Sequence, residues 1–378
     1  MGTDALELSP QEILSTYKDV NACAPMVRYG KLAFRQLVSR YNVPLVWTPM
    51  ILAQEFSRSQ TARDSDLSTN QHERGTFLLE PRHAHPSRDH LESDPTPLEP
   101  TSRRPSKQAD KVRGRLIVQF AANDPVHLAD AAELAAPFVD AIDLNCGCPQ
   151  RWAYQEGIGS ALLRKPDLVR DLVRTTKQRV GWQFPVCVKI RVDDDPARTE
   201  QLVSNIVAAG ADVLTVHGRT RHESSSGHPV NLAAIEFARS CAKGQVPVIA
   251  NGDVFDLADA ERTRELTGAE GVMSARGLLA NPALFSGYSE TPIEAISTFL
   301  HLATSHSLLF PLFHRHLAYM LESRFTSRKD RGYFNSLASY AGVLDWCEDR
   351  LGITHDGTQA FPTTPMTGLE HGLSRTTI

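Results

Sequence analysis

Six cysteines in 378 residues are too few and too irregularly placed for a disulfide framework. Cys23, Cys146, Cys148, Cys187, Cys241 and Cys347 follow no paired spacing, so they are expected as free thiols of a reducing compartment. No second cysteine pair accompanies Cys146 and Cys148, which leaves zinc without a ligand set, and no metal is expected. No apolar run approaches the roughly 20 residues of a membrane span. The acidic, polar N-terminus lacks the pattern of a secretory signal, so no membrane association is expected. A cytoplasmic monomer is the expectation, with the nucleus as a second address. The formal net charge of −4 supplies no global basic field; any polyanion would have to meet a local face. No G-x-G-x-x-G follows the first apolar run, which counts against a doubly wound dinucleotide-binding sheet.

What is present is a repeated unit. Short, continuously apolar runs begin at Val20, Leu45, Leu116, Ala141, Pro185, Val213, Val246 and Gly271, most followed by a segment of helical spacing. Continuous rather than alternating apolarity marks strands buried on both faces, hence a parallel sheet covered by helices. Eight such units predict an α/β fold of the (β/α)₈ barrel type over residues 19–290. Residues 1–18 read as a polar leader. Residues 72–114 carry six prolines and many charges with few large apolar residues, and are expected as a disordered insertion. After Asn281 the strand signal stops; residues 291–353 read as a small helical domain and 354–378 as a loose tail.

Each strand's carboxyl end carries a polar group, and in a barrel these ends share one mouth. Gln119, Asn145, Lys189 with Arg191, His217 with Arg219, Asn251 with Asp253, and Arg276 are in register there. The stretch from Ile142 to Trp152 is the centre of the set: an apolar strand breaks at Gly147 and Pro149 and displays Asn145 and Cys148. Cys148, in the loop, is the better candidate for a reactive thiol than Cys146, still in the strand. Asn251-Gly252-Asp253 and Ala275-Arg276-Gly277 offer backbone N–H groups and a guanidinium after strands seven and eight, where barrels commonly hold phosphate. Lys189 in an apolar strand needs an anion or acceptor to offset its burial. Arg324, Arg328, Lys329 and Arg331, with His314, Arg315 and His316, crowd a segment interleaved with aromatics, which suits either a charged helix surface or a nucleic-acid face.

Together, Ala24-Pro25-Met26, Gln119, the Asp143 to Pro149 loop, Val188-Lys189-Ile190-Arg191, Val216-His217-Gly218-Arg219-Thr220, Asn251-Gly252-Asp253 and Ala275-Arg276-Gly277 resemble the tRNA-dihydrouridine synthases. The resemblance runs over residues 20–350 apart from the insertion. Val27-Arg28-Tyr29, Cys148 to Trp152 and Ala275 to Pro282 look most like the eukaryotic branch acting on D-loop positions 20a and 20b. It implies a TIM barrel with FMN as cofactor, NADPH as electron donor, tRNA as partner, and a C-terminal helical tRNA-binding domain. Pro25 and Met26 would lie against the flavin ring, with Gln119 at its edge. Lys189 and His217 would contact the ring, while Asn251, Gly252, Asp253, Ala275 and Arg276 would hold ribityl and phosphate. Asn145 would face the uracil, with Arg191 and Arg219 in the same mouth, and Arg324, Arg328 and Lys329 would meet tRNA. Cys148 would donate the proton at uracil C5 while hydride passes from flavin N5 to C6. Two other readings stand beside this one: an FMN barrel oxidoreductase for a small molecule, of dihydroorotate or enoate type, and a non-catalytic RNA-binding barrel.

Overall fold

The computed structural model describes residues 4–82 and 109–353. The expected tail, 354–378, and most of the expected insertion lie outside those residues. The strands in chain order are β1 (Val20–Cys23), β2 (Leu45–Leu52), β3 (Thr76–Leu79), β4 (Asp110–Arg113), β5 (Arg115–Ala121), β6 (Ala141–Cys146), β7 (Val186–Arg191), β8 (Val213–His217), β9 (Val248–Asn251) and β10 (Gly271–Ser274). All but β3 and β4 are parallel neighbours in a closed barrel, with β1 sealing against both β2 and β10. Helices follow the strands on the outside, as at Pro125–Ala135, Pro166–Val180 and Pro196–Ala208. The predicted fold class is the observed one.

Alternation along each strand divides the core in two. Leu116, Val118 and Phe120 of β5 and Ile142, Leu144 and Cys146 of β6 point outward into the layer shared with the helices. Ile117, Ala141, Cys187, Val213, Ile249 and Met273 point inward and fill the lower barrel with Trp47.

The structure corrects the sequence expectation at three places. Residues 1–18 are not merely a leader: the helix Pro10–Thr16 closes the amino end of the barrel, with Ile13, Leu14 and Tyr17 buried in the inner cluster. Ser9 and Glu12 form a reciprocal capping box at its start. Burying Ile13 and Leu14 contributes about 1.5–3 kcal/mol each. The second strand, which a proline within a run would be expected to stop at Pro49, instead runs to Leu52, with a register shift between Trp47 and Met50. Proline has no N–H for the ladder, so the strand bulges there and resumes. Finally, the edges of the expected insertion are ordered. Asn70 caps the turn Gln71–Arg74, Glu73 is buried against Arg35 at 2.5 Å, and β3 pairs antiparallel with β4.

The helices Ile293–Ser305, Phe310–Met320, Arg328–Ser336 and Tyr340–Leu351 follow the barrel. His316 ties them to it: its ring stacks on Phe34 at 4.8 Å and its Nε2 lies 3.1 Å from the Tyr29 carbonyl oxygen. Burial pushes its pKa down to about 4. Among the described residues no helix is long and apolar enough to cross a membrane, and no cluster of His, Cys, Asp and Glu is arranged to hold a metal ion.

Candidate active site

Strand register brings the candidate residues together. Gln119 is paired with Asp143, Asn145 with Lys189, Arg191 with His217, and His217 with Asn251. Five adjacent strands therefore present polar side chains inward above the apolar plug, all at their carboxyl ends.

One half of the mouth, on β5 and β6, is a chain of amides. The Gln119 Nε2 donates to Asp143 Oδ2 at 2.7 Å, and the Asn145 Nδ2 donates to Gln119 Oε1 at 2.8 Å. The Asn145 Oδ1 accepts from the backbone N–H groups of Gly147 at 3.1 Å and Cys148 at 2.9 Å. Asp143 is fully buried, and beyond the Gln119 bond only the Trp47 indole acts on its carboxyl as a donor among the described residues. Burial pushes its carboxyl up to about 7, with the Gln119 bond, the Lys189 charge and the Trp47 indole pulling the other way. The Cys148 loop is held from below as well, since Ser160 N–H donates to the Cys148 carbonyl at 3.0 Å. The thiol itself is half-buried, and that burial raises its pKa against the downward pull of Arg191 and Lys189. Such a thiol keeps its proton at neutral pH, as a proton donor must.

The other half, on β7 to β10 and their loops, is cationic. Burial first, then the charges of Lys189, Arg191, Arg219 and Arg276, push the His217 imidazole down to about 2, so it is neutral. Burial and the Arg191 charge lower Lys189 to about 8, and burial with Arg219 lowers Arg191 to about 10. Asp253 is one carboxylate among these groups, and Glu223, acting on Arg191, is another. Asp253 accepts from Arg219 and from the Val230 N–H at 2.9 Å, and pairs with Arg276 at 2.6 Å. Gly252, at φ +134°, makes the turn before it, where a Cβ would stand 2.6 Å from Val230. The Arg276 guanidinium lies 5.1 Å over the Phe255 ring and also donates to the Ser225 carbonyl at 3.1 Å.

Several predicted residues stand where expected but with different company. Pro25 and Met26 follow β1 at the mouth, and the Met26 carbonyl accepts from the N–H groups of Tyr29 and Gly30, which turns the chain away. Asn251 donates to the Met273 carbonyl at 3.0 Å, which fixes its amide at the end of β9. Ala275 and Gly252 flank Asp253 and Arg276 in the loops after β10 and β9. Asn145, expected to face a substrate, spends its carbonyl oxygen on the Cys148 loop and one N–H on Gln119. Arg219 is 1% exposed and clamped by Asp253 and the His228 carbonyl, so it braces the site rather than lining it. Asp253 positions Arg276, and its charge is already used. Arg191 donates to the carbonyls of Thr220 and Glu223 at 2.8 and 3.2 Å. In the helical region Arg324 pairs with Glu290 at 3.2 Å and Arg331 pairs with Glu322, whereas Arg328 and Lys329 are exposed and make no ion pair among the described residues.

The residue that sequence reasoning passed over is Asp143. Its signal was parity: it lies two positions before Asn145 and so on the same inward face. A cavity of about 320 Å³ opens beside the mouth between Leu52, Ala122, His127 and Trp152. It contains neither Cys148 nor the cationic groups, so the chemistry is assigned to the barrel axis instead.

The dihydrouridine synthase (Dus) family profile matches residues 22–81 and 94–345. The chain belongs to the dihydrouridine synthase family. Relatives agree along nearly the whole length. It is 43% identical over 357 residues to the tRNA-dihydrouridine(20a/20b) synthase, named for NAD(P)+, of Schizosaccharomyces pombe, covering 94% of each chain. It is 42% identical over 344 residues to a tRNA-dihydrouridine(20a/20b) synthase-like protein of Mus musculus, covering 91% of this chain and 92% of that one. The corresponding Saccharomyces cerevisiae synthase is 37% identical over 361 residues. In this dihydrouridine synthase the barrel mouth thus joins an amide-held thiol to a cluster of cations.

Proposed function

We propose that this dihydrouridine synthase uses FMN and NADPH to reduce uridines 20a and 20b of the tRNA D-loop to 5,6-dihydrouridine. The observation that carries the reading is the half-buried Cys148 thiol, whose burial keeps its proton on, beside a mouth where Lys189, Arg191, Arg219 and Arg276 outnumber the carboxylates. That charge fits a flavin mononucleotide: Arg276 and the turn at Gly252 suit its phosphate, and Lys189 and Arg191 suit an electron-rich ring edge. Gln119, between Asp143 and Asn145, presents a fixed amide to the same space. A flavin held by these residues would supply the hydride, drawn from a nicotinamide donor, for uracil C6.

The chain's own residues do the rest. The uridine must leave its stack to enter the mouth. Asn145 holds the loop, and Cys148 Sγ gives its proton to C5, completing the addition of one hydride and one proton across the double bond. The resulting thiolate, near Lys189 and Arg191, recovers a proton from solvent. The nicotinamide donor and the position specificity are supported by the names of the relatives, which print NAD(P)+ and 20a/20b. Arg328 and Lys329, exposed on the helical region, suit contacts to tRNA phosphates.

The test is C148A. The purified variant should keep its yellow flavin spectrum and its NADPH-driven flavin reduction. Dihydrouridine formation on unmodified tRNA should fall by about 10²–10⁴-fold. Turnover at the wild-type rate would remove Cys148 from the acid role; a colourless wild-type protein would remove the flavin.

A further inference from the structure

Cys148 hangs on the last link of the amide chain, and the direction of every bond in that chain is set at its first. A carboxylate only accepts, so Asp143 Oδ2 forces Gln119 to turn its Nε2 downward. The Gln119 Oε1 must then face Asn145, which answers with Nδ2. That leaves Asn145 Oδ1 facing the loop, where two N–H groups, those of Gly147 and Cys148, need an acceptor. Were the chain reversed, Asn145 would aim an N–H₂ group at two backbone donors and the loop would lose both bonds.

Resting on the function proposed above, the geometry points to Asp143 as a positioning residue: the buried carboxylate dictates which way the Gln119 and Asn145 amides face, and so holds the Cys148 loop at the mouth. The Gly147 and Cys148 N–H groups favour the same direction from the loop end, and the carboxylate imposes it from the buried end, where an amide could present either face.

The experiment reads the thiol directly and needs no turnover. The full-length wild type, D143N and the double variant Q119E/D143N are alkylated with iodoacetamide at about pH 8.5, where the Asp143 carboxyl is ionised. Labelling is read at each cysteine by peptide mass spectrometry. Buried Cys187 and half-buried Cys241 report on the fold. In D143N the side chain at 143 can present an N–H₂, the chain loses its imposed direction, and Cys148 labelling should rise roughly tenfold while Cys187 stays dark. In Q119E/D143N the carboxylate moves one link along; it again accepts from Asn145 Nδ2, the Asn145 oxygen again faces the loop, and labelling should return to the wild-type rate.

Equal Cys148 labelling in wild type and D143N overturns the proposal, as does a folded double variant whose Cys148 stays fast. If D143N alone unfolds, shown by Cys187 labelling, the comparison of wild type with the double variant decides by the same criterion. A second readout separates positioning from general damage: in D143N, NADPH should reduce the bound flavin at the wild-type rate while kcat for uridine drops. Should C148A prove fully active, the acid assignment fails, yet the labelling result still stands or falls alone.

Discussion

The two halves of the barrel mouth solve different problems with different groups. On β5 and β6 the residues are neutral amides around one carboxylate, and each hydrogen bond has a direction that constrains the next. On β7 to β10 they are cations, and burial first, then their mutual repulsion, lowers the pKa values of Lys189, Arg191 and His217. The first half fixes where a thiol sits. The second stores unbalanced charge for a ligand to relieve. Hydrogen-bond directionality gives position, while charge surplus gives affinity.

If that division is right, neutralising the carboxylate of the first half should stabilise the fold even as it loosens the loop. Burial pushes the folded Asp143 carboxyl up to about 7, against 3.8 for an unperturbed aspartate. Its burial is harmless below the unfolded value, where both states are protonated. Stability is then lost as pH rises through 3.8 to 7, because the unfolded state ionises first. D143N should therefore raise stability at pH 8 by up to about 4 kcal/mol and change it little near pH 3.5, measured by urea denaturation at both. Equal effects at the two pH values would mean the carboxyl is not held protonated by burial. A gain in stability joined to a loss of uridine reduction is the pattern of a group kept for function.

Breaking the second half should act on ligand affinity with no such stabilisation. R276A removes a guanidinium that Asp253 holds at the mouth beside Phe255. A charge-assisted bond to phosphate contributes about 1.5–3 kcal/mol, so FMN should bind roughly 10–100-fold more weakly by fluorescence titration. R219A would be a harsher change of another kind, since the buried pair with Asp253 would lose one partner and leave a carboxylate without its main cation. If R276A retained wild-type FMN affinity, the phosphate would have to sit elsewhere.

How much of this could be read from the sequence differs between the halves for the same reason. The barrel was legible because strands buried on both faces are continuously apolar, and the site because each polar interruption falls at a strand's carboxyl end. Lys189, His217 and Cys148 stand out individually against that background. The pairings among their neighbours do not. Arg219, Asp253 and Arg276 form one cluster across separations of 34 and 23 residues, and such pairing exists only once the strands close. The role of the helix Pro10–Thr16 was hidden because two apolar residues, Ile13 and Leu14, are too few to show a period. The ordered edges of the 72–114 segment were hidden by averaging: four-residue strands vanish inside a proline-rich window.

The smallest effect belongs to a third set of cations, on the helical region, and it sharpens the distinction between stored and spent charge. Arg324 and Arg331 already have carboxylate partners in Glu290 and Glu322, so of the four cations between 324 and 331 only Arg328 and Lys329, at the start of one helix, make no ion pair among the described residues. Exposed cations of this kind act by releasing counterions from the nucleic-acid backbone, and each contact removed lowers the log–log salt slope by about 0.7–0.9. R328A/K329A should flatten the salt dependence of tRNA binding by roughly one to two units and leave FMN affinity and Cys148 labelling unchanged. R324A, by contrast, should leave the slope alone and cost a little stability through its lost bond to the Thr291 carbonyl. A slope that responded to Arg324 as strongly as to Arg328 and Lys329 would mean that its ion pair opens on binding, and that spent charge is recovered when tRNA arrives.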